Sequence, residues 1–141
     1  GRVTEDRGPD PNNETVINML ETRSGVLAMG TSSDGLYLLF PNRKVLHFNH
    51  ASGFPGNWIR CLYEDREGTL WVGAGSSGLI ALRTGKFEVL DSPEAWQGRV
   101  PLSVTAARDG SIWVGSEGAG LYRFLHNEWK NYGTSAGLSN L

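Results

Sequence analysis

The sequence has little of what several protein classes need: one cysteine, six prolines and no long apolar run. Because Cys61 stands alone, an internal disulfide is excluded, and its place in a strand-like run favours a buried thiol. No stretch approaches the roughly 20 apolar residues of a membrane-spanning helix. The 13 basic and 15 acidic residues include no basic run, so the sequence lacks the charge signature of nucleic-acid binding.

Glycine and apolar residues are abundant by contrast. Nineteen of the 141 residues are glycine and 39% are hydrophobic, which indicates a folded, turn-dense chain. The length suits a single domain and is too short for two separate cores.

A repeat of 42 residues is the main signal in the sequence. The stretch Trp71–Gly73 returns 42 positions later as Trp113–Gly115. The first copy is more divergent: it has Leu27–Gly30 where the second copy has Leu70–Gly73, a spacing of 43 residues. Equivalent segments close 42 positions apart at Phe48, Leu90 and Tyr132. Several independent anchors at one period establish the repeat.

Each copy contains four short strand-like runs separated by turns. The runs are rich in Val, Ile, Leu, Trp and Tyr and bounded by Gly, Asn, Asp or Ser, and no window has a helical period. In the middle copy the predicted strands are Trp58–Glu64, Thr69–Ala74, Leu79–Arg83 and Lys86–Leu90. A tight turn is predicted at Thr84–Gly85, and a longer loop or one short helical turn at residues 91–99.

Four antiparallel strands in about 40–45 residues are the signature of a β-propeller blade. We therefore predict an all-β chain, a β-propeller fragment of three four-stranded antiparallel blades. The predicted segments are an N-terminal loop at 1–13, a worn first blade at 14–56, a second blade at 57–98, and a third at 99–141 that ends in the opener of a further repeat.

The repeated glycines and tryptophans have structural interpretations. Gly68 and Gly110 are predicted to supply the positive φ at the first hairpin of their blades. The last glycine of each Trp-Val-Gly triplet ends the second strand, where a side chain would crowd the next turn. The periodic tryptophans are expected to pack between blades. The structural repeat positions are Gly30, Trp71, Gly73, Trp113 and Gly115.

Three blades do not close a ring, since propellers usually have about four to eight. An open arc leaves two apolar faces in water, which costs several kcal/mol at about 25 cal/mol per Å². We expect further blades of a longer parent chain to cover these faces. A second copy would do the same in a homodimer, which by symmetry is a six-bladed ring.

Three patterns that suggest catalytic or ligand motifs are better explained by turns. The glycine-rich loops Gly73–Gly78 and Gly115–Gly120 lie between strands, whereas a nucleotide-binding loop leads into a helix. The histidines lack metal-ligand spacing; they are His47, His50 and His126. Acidic residues near the first hairpins suit amide-capping turns better than a glycosidase pair; they are Glu64, Asp65, Glu67 and Asp109. We predict no catalytic residue, cofactor or metal.

Two tryptophans, Trp58 and Trp96, fall outside the repeat. Packing is the default interpretation of a tryptophan, but an unrepeated ring in a loop is also where the C–H face of a sugar would stack. The nearby Arg60 and Arg99 would supply polar partners. These four residues are the candidate ligand contacts.

The motifs resemble the two-component regulator propeller repeat, which combines an acidic turn, a glycine and a Trp-hydrophobic-Gly triplet. The first copy, Met19–Gly30, lacks the tryptophan. The resemblance covers roughly residues 14 to 141. It is carried by the stretches Leu62–Gly73, Ser77–Leu79, Arg108–Gly115 and Ala119–Phe124.

The resemblance implies a cellular location and a kind of parent protein. Such repeats occur in tandem in the periplasmic or extracytoplasmic part of bacterial sensor kinases and hybrid two-component systems, and many in gut bacteria respond to polysaccharide fragments. It therefore implies a non-catalytic, ligand-sensing module with an oligosaccharide ligand and a kinase domain outside this chain. The alternatives are a self-assembling scaffold or lectin-like protein and, less favoured, a propeller glycosidase or lyase.

Overall fold

The structure, a computed structural model, describes residues 4–5, 15–75, 78–83, 86–90 and 100–132. These residues form thirteen strands and one 3₁₀ turn at His50–Ser52. The strands are β1 (Thr4–Glu5), β2 (Val16–Glu21), β3 (Leu27–Thr31), β4 (Leu36–Leu39), β5 (Val45–Phe48), β6 (Ile59–Glu64), β7 (Leu70–Ala74), β8 (Gly78–Arg83), β9 (Lys86–Val89), β10 (Pro101–Ala106), β11 (Ile112–Ser116), β12 (Gly120–Leu125) and β13 (Glu128–Tyr132).

The strands form three separate antiparallel sheets, which confirms the predicted fold class. The second and third sheets have the orders β6-β7-β8-β9 and β10-β11-β12-β13, and the first has β2-β3-β4-β5. In each blade, successive strands pair with their neighbours in the chain, as in a meander. The observed strands differ from the predicted ones by one residue at an end: Trp58, Thr69 and Leu90 lie just outside strands, and Gly78 lies inside β8. The predicted turn at Thr84–Gly85 and the loop at 91–99 lie outside the described residues.

A fifth strand on the first sheet was not predicted. The N-terminal segment 1–13 is predicted as a loop, but Thr4–Glu5 pair with β5, where Thr4 lies opposite His47 and Glu5 opposite Leu46. The prediction is wrong for these two residues. Because β5 is the last strand of its blade, its outer edge offers unpaired N–H and C=O groups to any extended segment nearby.

The first strand of each blade lies at the centre of the arc. β6 contacts both β2 and β10, so the three first strands stand side by side. Each pair of neighbouring blades encloses its own apolar core. The core between the first and second blades includes Leu36, Phe48, Phe54, Val72 and Ile80. The core between the second and third includes Cys61, Trp71, Leu79, Val114 and Tyr122.

All three first strands contain a β-bulge at the same position. The register shifts between Val16 and Asn18, between Ile59 and Cys61, and between Pro101 and Ser103. A bulge leaves one residue out of the ladder and turns its side chain aside. The residues left out are Ile17, Arg60 and Leu102.

The repeated glycines are required by the neighbouring first strands. Gly73 lies inside β7, one residue before its end, whereas the sequence predicts that it ends the strand. A Cβ added to Gly73 would overlap Cys61 Sγ and lie 3.2 Å from Pro101 of the next blade. At Gly30 the added Cβ would lie 2.6 Å from Ile59 Cγ2, again in the next blade. The predicted crowding is therefore real, but it comes from side chains of the paired first strand, Cys61 or Asn18, together with the first strand of the next blade.

Side chains next to these glycines link successive blades. The Asn18 amide donates a hydrogen bond from Nδ2 to the Ile59 carbonyl at 3.0 Å. At the same position in the second blade, Cys61 Sγ lies 3.9 Å from the Pro101 carbonyl. Ser103 holds this position in the third blade and is exposed. The first-strand link thus repeats from blade to blade.

The turn glycines have the predicted conformation. Gly68 has φ 84° and Gly110 has φ 87°. Each closes a turn in which its own N–H donates to a carbonyl three residues earlier, that of Asp65 or Ala107. These are left-handed conformations that glycine adopts without a Cβ penalty.

We predict that Gly73→Ala destabilises the chain by about 1–3 kcal/mol, the usual cost of overpacking. The added methyl would collide with Cys61 and Pro101. Urea denaturation of wild type, Gly73→Ala, Cys61→Ala and the double variant would measure the effect. The cost of Gly73→Ala should be smaller in the Cys61→Ala background, and strict additivity would contradict the proposed collision.

Candidate functional site

Trp58 and Arg60, two of the four candidate ligand contacts, lie together in the structure. The Arg60 guanidinium carbon is 4.6 Å from the centre of the Trp58 ring, a cation–π arrangement. Trp58 is 41% exposed, so one part of the ring faces solvent. Among the residues that the structure describes, Arg60 Nε has no hydrogen-bond partner although the atom is buried. The pair combines an accessible aromatic surface with an unused donor.

Local structure brings this pair together. Ile59 is fully buried in the core between the first and second blades, which fixes the start of β6. The bulge then takes Arg60 out of the ladder. The Trp58 ring lies over the backbone of Gly75, where an added Cβ would be 3.3 Å from Trp58 Cε3. Glycine at position 75 therefore gives the ring room to lie against the end of β7.

Apolar side chains occupy the equivalent bulge positions of the other two blades. Ile17 is 41% exposed and Leu102 is 43% exposed, both large fractions for apolar residues. Because the first strands are innermost, these side chains and Arg60 belong to the centre of the arc. This arrangement can bind an aromatic or sugar face and a hydrogen-bond acceptor, but it contains no nucleophile or general acid.

The other two candidate contacts, Trp96 and Arg99, lie outside the residues that the structure describes. Their role as ligand contacts therefore stays a prediction.

Asp65, one of the acidic residues near the first hairpins, is occupied by donors of its own hairpin. Asp65 Oδ1 accepts hydrogen bonds from the Glu67 and Thr69 N–H groups at 2.9 and 3.0 Å. Asp65 Oδ2 accepts the indole N–H of Trp71 at 2.8 Å. A carboxylate held by three donors is a structural cap, as the sequence indicates.

Asp109 plays the same part in the third blade. It accepts hydrogen bonds from the Ser111 hydroxyl at 2.6 Å and the Ser111 N–H at 2.9 Å, and from Arg123 at 2.6 Å. The Ser111 side chain and N–H, followed by Arg123, hold the pKa of this carboxyl well below its ordinary range. Asp109 therefore stays ionised and is unsuited to donating a proton near neutral pH.

The two periodic tryptophans have different surroundings. Trp71 is 4% exposed and lies in the core between the second and third blades. Trp113 is half-buried, and its ring centre is 5.3 Å from that of Tyr132. The same repeat position thus faces a neighbouring blade in one copy and the outer face of the third blade in the other.

The three histidines have separate environments. His47 is buried, stacks on Tyr37 at 3.8 Å between ring centres, and has Nε2 3.4 Å from Asp34 Oδ2. His50 begins the 3₁₀ turn, and His126 is exposed in the last hairpin with φ 51°. Over the described ranges, no three His, Cys, Asp or Glu side chains group as a metal site.

Sequence reasoning missed a groove between the second and third blades. The groove has a volume of about 400 Å³ and lies where the first hairpin turns of the two blades meet, at the opposite end of β6 from Trp58. Its walls include Arg66, Trp71, Ala106 and Phe124. The sequence does contain one indication of this groove. Position 106 is alanine, whereas the equivalent position of the second blade is Glu64.

Comparison with protein families gives one match in the middle of the chain. Residues 53–76 match the family model described as two component regulator propeller. The chain contains a two-component regulator propeller repeat. The matched residues include the β6–β7 hairpin and Trp71, which confirms the resemblance for the second copy.

Solved structures extend the likeness of this propeller beyond the matched repeat. The extracellular domain of a protein described as a hybrid two component system from B. thetaiotaomicron is 27% identical and matches 89% of this chain with a TM-score of 0.69. A second extracellular domain, of a protein described as a one component system from the same organism, is 21% identical over 94% of this chain with a TM-score of 0.73.

Virginiamycin B lyase from Staphylococcus aureus shares the fold at 13% identity, with a TM-score of 0.70 over 99% of this chain and 46% of its own. This propeller chain spans only 16% and 18% of the two extracellular domains. No curated protein matches it. None of the described residues forms a helix long and apolar enough to cross a membrane.

We predict that Cys61 makes the stability of this propeller depend on alkaline pH. Burial raises the pKa of the Cys61 thiol from 9.0 to about 11. The unfolded chain therefore releases this proton first, so the contribution is complete below pH 9 and is lost as the pH rises toward 11. Between these values wild type should lose on the order of 2 kcal/mol more unfolding free energy than Cys61→Ala. Urea denaturation across that pH range measures it, and parallel curves would refute the prediction.

Proposed function

We propose that the chain is a non-catalytic, ligand-binding part of an extracytoplasmic two-component sensor. The regulator propeller match at residues 53–76 supports this function. The 27% identity to an extracellular domain of a hybrid two component system supports it further. Periplasmic or other extracytoplasmic placement, an oligosaccharide ligand and a kinase domain elsewhere in the parent protein are parts of the same proposal.

The observation that carries ligand binding is the Trp58–Arg60 pair. The half-exposed indole offers a flat apolar surface, on which the C–H face of a sugar ring stacks. Arg60 lies 4.6 Å from that ring and brings a donor without an acceptor. A hydroxyl or ring oxygen of a sugar stacked on the indole would accept a hydrogen bond from the Arg60 guanidinium. The pair therefore suits an oligosaccharide.

The occupied carboxylates favour binding over turnover. Glycoside hydrolysis needs two carboxyl groups that flank the scissile bond and are open to it. Asp65 and Asp109 are instead engaged by donors of their own turns. A lyase-type activity rests on fold likeness at 13% identity alone.

Signalling would follow from a shift between two arrangements of the sensor, one of which binds the ligand better. The outer face of the third blade is available for a partner, since Ser103 is exposed at the position that links the other blades. A further blade of the parent chain or a second copy would occupy this face. Self-assembly as a scaffold or lectin-like protein is the alternative that the same exposed position favours.

We predict that Trp58→Ala and Arg60→Ala each weaken oligosaccharide binding by about tenfold, the effect of roughly 1.4 kcal/mol. The experiment screens the 141-residue chain against a glycan array of polysaccharide fragments and then measures each hit by calorimetry. Val89→Ala is the matched control, since Val89 is similarly exposed on β9, the last strand of its blade. Unchanged affinity in both test variants would rule out this site.

A further inference from the structure

The first and second blades are joined at their hairpin turns by an arginine–glutamate contact. The Arg23 N–H donates to Glu64 Oε1 at 3.0 Å, and Arg23 Nε lies 3.3 Å from the same oxygen. The Arg23 guanidinium also donates from Nη2 to the Asp65 carbonyl at 2.5 Å. A carboxylate of the following blade is thus held by both the backbone and the side chain of one turn arginine.

The second and third blades repeat the arginine but not its acceptor. By strand register, Glu64 lies opposite Leu70 and Ala106 lies opposite Ile112, so Ala106 takes the place of the glutamate. Arg66 is equivalent to Arg23, because each lies two residues after the end of the first strand of its blade. Arg66 is exposed, and within the described part of the chain no hydrogen bond or ion pair involves its N–H or guanidinium.

A groove of about 400 Å³, lined in part by Ala106, lies at this interface, where the preceding interface has the Arg23–Glu64 contact. Ligand pockets commonly occupy about 300–1,000 Å³, so the space suits a small molecule. The groove has apolar walls from Ile112 and Phe124 and cationic groups from Arg66 and Arg108.

The acidic residues that line the groove differ in how far they are engaged. Asp65 is occupied by three donors of its own turn, and Asp109 by Ser111 and Arg123. Glu67 is exposed at the rim and keeps a negative charge there. Among the described residues, Arg66 and Arg108 are thus the groove cations left to pair with an incoming anion, and Glu67 opposes that anion from the rim.

We propose that this groove binds a small carboxylate-bearing molecule, with its carboxylate in the place that Glu64 occupies at the preceding interface. One of its oxygens would face both the N–H and the guanidinium of Arg66, the pattern that Arg23 shows with Glu64 Oε1. The rest of the molecule would lie along Phe124 and Ile112. This site is at the opposite end of β6 from Trp58 and is independent of the proposed sugar contact.

The test uses succinate as the probe and its uncharged diamide as the matched control. Binding is followed on the 141-residue chain by the NMR signal of the Trp71 indole N–H, which lines the groove and is assigned with Trp71→Phe. We expect succinate to shift this signal saturably and succinamide to leave it unchanged. Inorganic phosphate at equal ionic strength tests whether any anion suffices, and an equal response to phosphate would overturn the carboxylate assignment.

Four variants separate the proposal from a general charge effect. Arg66→Ala should weaken succinate binding by about tenfold, since a charge-assisted hydrogen-bonding partner is lost. Ala106→Glu should abolish binding by supplying the carboxylate internally, while Arg66 remains in place. Glu67→Gln should tighten binding by removing a nearby negative charge, and Lys44→Ala, which removes an exposed cation of the first blade, should change nothing.

A folded Ala106→Glu variant that still binds like wild type would overturn the proposal. Thermal unfolding provides the second readout, because the restored contact between Arg66 and the introduced carboxylate should raise the unfolding temperature of that variant above wild type. If Arg66→Ala and Lys44→Ala weakened succinate binding equally, the effect would be one of net charge, and the proposed site would be wrong.

Discussion

The close approach of neighbouring first strands is the constraint on which the rest of the structure depends. Gly73 has no side chain because Cys61 and Pro101 occupy the space that a Cβ would take. That approach lets Asn18 reach the Ile59 carbonyl and places Cys61 beside the Pro101 carbonyl. It also holds successive sheets face to face, so that each interface can bury a dry core. The tryptophan that marks the repeat, Trp71, lies inside one of these cores.

The sequence predicts the parts of the structure that repeat. It does not predict the parts that depend on contacts between copies. Gly68 and Gly110 leave a periodic mark because turn geometry is local. Gly73 is crowded by Cys61 of the paired strand and by Pro101 of the next blade, so spacing alone predicts crowding but not its source. The pairing of Thr4 with His47 leaves no pattern in the sequence. Two extended residues that add to a sheet edge need only free backbone groups, whatever their side chains.

The candidate sites show the same division. Trp58 could be singled out because it breaks the period, and Arg60 because it is close in sequence. The groove depends on comparing Ala106 with Glu64, and that comparison acquires meaning only when the Arg23 contact is seen. A missing side chain is hard to recognise in a sequence, whereas an additional aromatic residue is conspicuous. Interfaces between repeats are therefore where structure adds most to sequence reasoning.

The bulge in each first strand has a consequence for how such a protein can vary. Ile17, Arg60 and Leu102 are released from the ladder, and their side chains are not needed for the backbone hydrogen bonds that hold the blade. Each blade therefore has one position on its first strand whose chemistry can change with little effect on sheet pairing. Substitution at these positions therefore changes the surface at the centre of the arc, one amino acid per blade, while the hydrogen-bonded scaffold stays the same.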